Sequence, residues 1–256
     1  MRDADALPET LAGWPLRIER PRGARRMRLS VGEGTVLLRW PESIAASQVR
    51  QFLDAHHGWI EEMVAKHRNA ESRAAQDLCL QPFSAGHLIV LGQRLPVHWE
   101  DGPGAIEIGT DRVRLRVPMS RAQPSRVAQR LAIGALSRRL QDCCRHWLQT
   151  HEPAMGVRAR ALRLRPMRSL WGSLSPQGVV SLNSGLAFCP EAQGEYVLVH
   201  ELAHFHARHH GPRFWAVVAR HYPAYMRQRS ALNRDHLYVQ ALLRRLHARL
   251  PSPDVP

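Results

Sequence analysis

Lysine is nearly missing from this sequence. Lys66 is the only one among 36 basic residues, so a formal net charge of +14 is carried almost entirely by arginine. An arginine-rich surface can neutralise phosphates and release their counterions, which makes nucleic acid a candidate partner. So one-sided a choice between the two basic residues is also what biased coding composition produces. The clusters within 20–28, 158–168 and 244–245 are therefore read first as solvated surface and second as a nucleic-acid face.

Long apolar runs are missing too. No stretch of about 18 apolar residues is present, which excludes an ordinary membrane-spanning helix. Residues 1–30 contain no basic-then-apolar leader, and a cytoplasmic location is expected. Cysteine is scarce, with only Cys79, Cys143, Cys144 and Cys189. None forms a C-x-x-C pair, and the adjacent Cys143 and Cys144 cannot bridge each other in normal geometry. A disulfide framework and a cysteine-based zinc site are both set aside in favour of buried thiols. There is no low-complexity tract and no repeat of fixed period.

What is present begins with short alternating segments. Residues 1–13 read as a loose end, and residues 16–20, 26–31 and 35–40 as strands, the last two joined through Gly32-Glu33-Gly34. Residues 43–68 read as one or two helices whose apolar stripe includes Val49, Phe52, Leu53, Trp59, Ile60 and Val64. The polar residues 69–81 read as a connector, followed by four more strands between 87 and 117. Ser125 is placed to cap a long helix reaching about residue 151. Strands follow between 161 and 186, and amphipathic helices begin at Pro212 and near Ser230.

The chemistry concentrates in His200-Glu201-Leu202-Ala203-His204, which follows the apolar run 196–199, with Pro190-Glu191 as a helix start. At about 100° per residue, His200 and His204 fall about 40° apart and Glu201 about 100° from His200. Two imidazoles one helical turn apart can converge on one tetrahedral Zn²⁺, and a carboxylate beside them can act as acid and base. A hydrolytic zinc needs a third protein ligand and an open position for water. On a continued helix His206 would point about 140° away, as a bystander. His210 reaches the site only if the helix ends near residue 208, and Gly211-Pro212 supplies a reason to turn. His210 is thus the favoured third ligand, with His209 as the alternative. Phe214 and Trp215 are expected to seal the core behind it. His221, Tyr222 and Tyr225 are weighed as oxyanion donors against a surface role.

These residues, together with Trp171-Gly172-Ser173-Leu174-Ser175, the segment 178–183, Leu186, Pro190 and Phe214-Trp215, carry a resemblance. The chain resembles the YgjP-like zinc metallopeptidases, which are similar in turn to SprT-like and WLM metalloprotease domains. The resemblance implies one Zn²⁺ held by His200, His204 and His210, Glu201 as catalytic acid/base, and a peptide or protein substrate. It also implies a sheet beside the active site whose edge can pair with an extended peptide. Trp171, Ser173 and Asn183, with His209 if it is not a ligand, are candidates for the cleft or for support of the ligands. Three positions depart from the family's habit: Leu170 stands where Arg is frequent, Leu174 where Cys is common, and His209-His210-Gly211 where Asn-His-Ser is usual. None removes a ligand, and the last keeps His209 in play.

The expected organisation is α+β. Residues 14–118 form an N-terminal strand-rich region with one helical segment, and 119–226 form a zincin-like core with the HExxH helix beside a small sheet. Residues 227–256 form a C-terminal helical extension of unknown role. The expected function is zinc-dependent peptide hydrolysis. Its competitors are a zinc hydrolase acting on another amide, and a nucleic-acid-associated zinc protein or DNA-linked protease with little free peptidase activity. The sequence is silent on oligomeric state.

Overall fold

Three tight turns set much of the pleated architecture. In the computed structural model, which describes residues 7–82, 84–118 and 124–248, Ala12-Gly13, Glu33-Gly34 and Leu91-Gly92 each put two successive residues at positive φ. This is the two-residue hairpin geometry whose twist matches that of the flanking strands. The chain divides into two units, residues 1–71 and 72–256.

The first unit holds β1 (Thr10–Leu11), β2 (Trp14–Glu19), β3 (Arg28–Gly32) and β4 (Thr35–Arg39), in the order β1-β2-β4-β3. β2 and β4 run parallel, and the other pairings are antiparallel. It also holds α1 (Ala46–Ala55) and the start of α2 (His57–Asp77). Val36, Leu38 and Trp40 form one buried cluster with Val49, Leu53, Ile60 and Val64. Trp59 is 41% exposed rather than part of the expected apolar stripe. The break at His56 resets the helical phase, so Ile60 and Val64, one turn apart, take the inward face of α2. The expected connector from residue 69 is helical as far as Asp77, with Ala70 and Ala74 buried along it.

The second unit contains β5 (Gly86–Val90), β6 (Gln93–Asp101), β7 (Ala105–Ile108) and β8 (Val113–Val117), in the order β5-β6-β8-β7. β6 and β8 are parallel and the flanking pairs antiparallel, so this sheet repeats the topology of the first. The repetition lies in hydrogen-bonded order, and no sequence period announces it.

Next come α3 (Pro124–Met155) and a third sheet of β9 (Ala161–Arg165), β10 (Gly172–Leu174) and β11 (Val179–Asn183), ordered β10-β11-β9. Ser125 lies inside the first turn of α3 rather than capping it, because the helix starts at Pro124. A 3-10 turn (Ser184–Phe188) leads into α4 (Glu191–Ala203), α5 (Pro212–His221) and α6 (Tyr225–His247). The result is a mixed α/β chain with three small sheets and six α-helices among the described residues. The last residues of the expected C-terminal helical extension, 249–256, lie outside them. All four cysteines are free, but only Cys144 and Cys189 are fully buried. No helix among the described residues is long and apolar enough to cross a membrane.

α4 is braced from several directions. A Cβ at Gly194 would lie 2.6 Å from the Trp147 ring, so the absence of a side chain lets α3 and α4 pack closely. At its start, Gly92 leaves room for Pro190, whose ring a Cβ there would meet at 2.8 Å. α6 packs against both α4 and the 3-10 turn.

Candidate metal centre

α4 is apolar on almost every side: Tyr196, Val197, Leu198, Val199, Leu202 and Ala203 are all buried. Pro190 precedes it and Glu191 occupies its first turn, where a carboxylate complements the helix dipole. The helix ends at Ala203, five residues before the expected end near residue 208. His204 is its C-cap, still with right-handed helical dihedrals, so it keeps its place one turn above His200. Residues 204–211 then fold back and α5 begins at Pro212.

This return brings His210 to His200 and His204. One ring nitrogen from each of the three lies within 4.8 Å of the others. The Nε2 atoms of His200 and His210 are 3.0 Å apart. His204 Nδ1–H donates to the Ala207 carbonyl at 3.1 Å, which leaves its Nε2 lone pair available. Phe214 is fully buried and its ring lies 4.6–4.8 Å from all three imidazoles. Trp215 stacks on His210 and its Nε1–H donates to the His210 carbonyl at 3.0 Å.

Burial, followed by the neighbouring His204, His210 and Arg229, lowers the His200 pKa to about 3. Burial also lowers that of His204. Both imidazoles are thus held neutral, the form that binds metal. His200 Nδ1 is buried without a hydrogen-bond partner. Three converging imidazoles, His200 and His204 among them held neutral, suit a borderline-soft divalent cation such as zinc.

Glu201 lies beside this group, 5% exposed. It presses against β10, where a Cβ at Gly172 would fall 2.6 Å from its Oε1. The Leu174 N–H donates to the carboxylate, yet burial dominates and pushes its pKa up to about 8. A cleft of about 660 Å³ opens over Glu201 and the three imidazoles.

Trp171 and Ser173 line this cleft, whereas Asn183 and His209 do not. Asn183 is wholly buried and organises the approach to β10: its Nδ2 donates to the carbonyls of Met167 and Leu170 at 2.9 and 2.8 Å. Its Oδ1 accepts from the N–H of Gly185 at 3.0 Å and of Met167 at 3.4 Å. His209 is exposed and outside the three-imidazole group. His206 Nε2–H donates to the Met155 carbonyl at 3.0 Å, tying the loop to α3.

His221, Tyr222 and Tyr225 do not line the cleft, and the Tyr222 hydroxyl donates to the Ala192 carbonyl at 2.8 Å. Tyr196 does line it, its ring edge-on to His200 at 5.9 Å and its pKa raised to about 12 by burial. Sequence reading absorbed Tyr196 into an apolar run, and gave Gly172 and Arg229 no role. Glycine next to a block of small and aromatic residues was the only available signal for the first; the second depends on where α6 packs.

Three converging imidazoles with a buried carboxylate beside them are the equipment of a metal-dependent hydrolase. Residues 25–235 match the YgjP-like metallopeptidase domain, and the chain belongs to that family; it is a metallopeptidase. No curated protein matches it. Among solved structures, the metallopeptidase zymogen abylysin of Pyrococcus abyssi is 25% identical, over 37% of this chain and 90% of that one, with a TM-score of 0.31.

Proposed function

We propose that this chain hydrolyses peptide bonds with a single Zn²⁺ held by His200, His204 and His210, residues 119–226 carrying the zincin-like catalytic core. The observation that supports this reading is the buried Glu201 carboxylate beside three imidazoles at the floor of an open cleft. Zinc, when bound, supplies an acidified water and polarises the substrate carbonyl. Glu201 takes the proton from the attacking water and delivers it to the departing amine. A dication beside it favours the ionised carboxylate that this role requires, against the burial that raises its pKa. Tyr196, protonated throughout the neutral range, is a donor for the developing oxyanion.

β10 is an edge strand of its sheet, and Gly172, Ser173 and Leu174 on it line the cleft. An extended peptide laid along this edge would gain main-chain hydrogen bonds that are indifferent to sequence. The test is elemental analysis of the purified protein, with hydrolysis of a casein digest followed in parallel for wild type and Glu201→Gln. About one zinc per chain in both, with cleavage only in wild type, is the expected result. Full activity in Glu201→Gln sinks the mechanism.

A further inference from the structure

The charge of the cleft is lopsided. Among the described residues that line it, Arg208 and Arg229 are the only guanidinium groups, and the buried Glu201 is the only carboxylate. Neither arginine has a carboxylate within ion-pair distance among the described residues, whereas Arg39, Arg94, Arg112 and Arg116 do. Arg229 is also held in place: its guanidinium lies over the Trp215 ring, 4.7 Å from the centroid. That ring is fixed in turn by its bond to the His210 carbonyl and by stacking on Tyr225. Stacking of this kind leaves the edge N–H donors of the guanidinium free for a planar acceptor. Arg229 lines the same cleft as Tyr196, His200 and Glu201, so it shares a wall with the reacting centre. The remaining walls include Leu170 and Phe205, apolar side chains 54% and 38% exposed.

We infer that the cleft selects peptides with a carboxylate close to the scissile bond, received by Arg229 with Arg208 as the second cation. This rests on the peptidase reading and adds the substrate class. The carboxylate can belong to an Asp or Glu side chain or to the peptide's own C-terminus. A charge-assisted, two-pronged hydrogen bond to a preorganised guanidinium contributes enough to shift affinity by about tenfold or more.

The experiment uses zinc-loaded Glu201→Gln protein, which binds without turnover. Three fluorescein-labelled peptides are titrated by anisotropy: an Asn-containing peptide with an amidated end, its Asp counterpart, and the Asn peptide with a free C-terminal acid. Tighter binding of the Asp peptide, the free acid or both is expected, and names the source of the carboxylate. The preference should shrink at high salt, because the site opens to solvent. It should vanish when Arg229→Met is added, survive in part with Arg229→Lys, and persist with Arg163→Met on β9, outside the cleft. Equal affinity for all three peptides, or a preference that Arg229→Met leaves intact, overturns the inference. So does displacement of the Asp peptide by a single-stranded oligonucleotide at lower concentration than by unlabelled peptide, since phosphate would then be the better ligand. Wild-type protein that cleaves all three with equal kcat/KM keeps the peptidase reading and rejects the acidic preference. Wild type that cleaves none, while Glu201→Gln still discriminates, does the reverse.

Discussion

Gly172 and Glu201 meet so closely that a Cβ on the glycine would stand 2.6 Å from Oε1 and 2.7 Å from Cγ of the glutamate. No real Cβ tolerates such contacts, so Gly172→Ala must displace the carboxylate. An error of about 1 Å at a catalytic group costs on the order of 100-fold in rate. The variant should therefore lose most of its peptidase activity and keep its metal, since the three nearest atoms to the added Cβ all belong to Glu201 and none to an imidazole. Parallel activity and zinc assays check this, and wild-type kcat with unchanged KM would show that the position of Glu201 is not critical.

Removing the metal should expose the cost of the site. Chelation is expected to lower Tm, and added zinc to restore it, because a ligand that binds only the folded state stabilises it by mass action. His200→Ala, His204→Ala and His210→Ala should each abolish stoichiometric zinc and the Tm response. His209→Ala should keep both, its side chain lying outside the cluster. Loss of zinc in His209→Ala alone would reassign the third ligand.

Two buried groups give the metal-free protein opposite pH limbs. Glu201 has its folded pKa raised to about 8 from 4.5, so its contribution is full below 4.5 and lost as pH rises towards 8. His200 has its folded pKa lowered to about 3 from 6.5, so its contribution is present above 6.5 and lost as pH falls towards 3. Each limb has a slope of at most about 1.4 kcal/mol per pH unit. Glu201→Gln should flatten the alkaline limb, its Tm advantage over wild type growing from pH 4.5 to 8, and His200→Asn should flatten the acid limb. Thermal scans of chelated protein from about pH 3 to about pH 8 decide both.

Asn183→Ala removes the side chain that satisfies the carbonyls of Met167 and Leu170 and the N–H of Gly185. Leaving these groups unpaired should cost about 3 kcal/mol of stability. Urea unfolding measures it. Activity should fall as well, because the segment held by Asn183 delivers Leu170 and Trp171 to the cleft.

The legible parts of the molecule were those with local causes. His200, Glu201 and His204 lie within five residues, and a helical period alone predicts that the two imidazoles share a face. Pro190 and Pro212 marked helix starts because proline's missing N–H is tolerated there, and Gly34 marked a hairpin because positive φ suits it; Gly13, in a stretch read as a loose end, makes the same kind of turn between β1 and β2. Trp59 was misplaced for the same kind of reason: one apolar stripe was laid across residues 43–68, and the phase break at His56 has no strong breaker to announce it. Asn183 read as a cleft candidate within the block that carries the resemblance, while three hydrogen bonds to Met167 and Leu170 and one to Gly185 hold it underneath.

The sequence by itself determined the helix that carries two imidazoles and a carboxylate, the turn that lets a third imidazole return, and the absence of any cysteine alternative. Those depend on neighbouring residues and on backbone preferences that act over a few positions. Only the tertiary structure decided that Gly172 backs Glu201, that Arg229 of the last helix reaches the cleft, and that two separate sheets repeat one topology. Such relations join residues tens of positions apart through packing and hydrogen-bonded order, for which a linear pattern of residue types holds no signal.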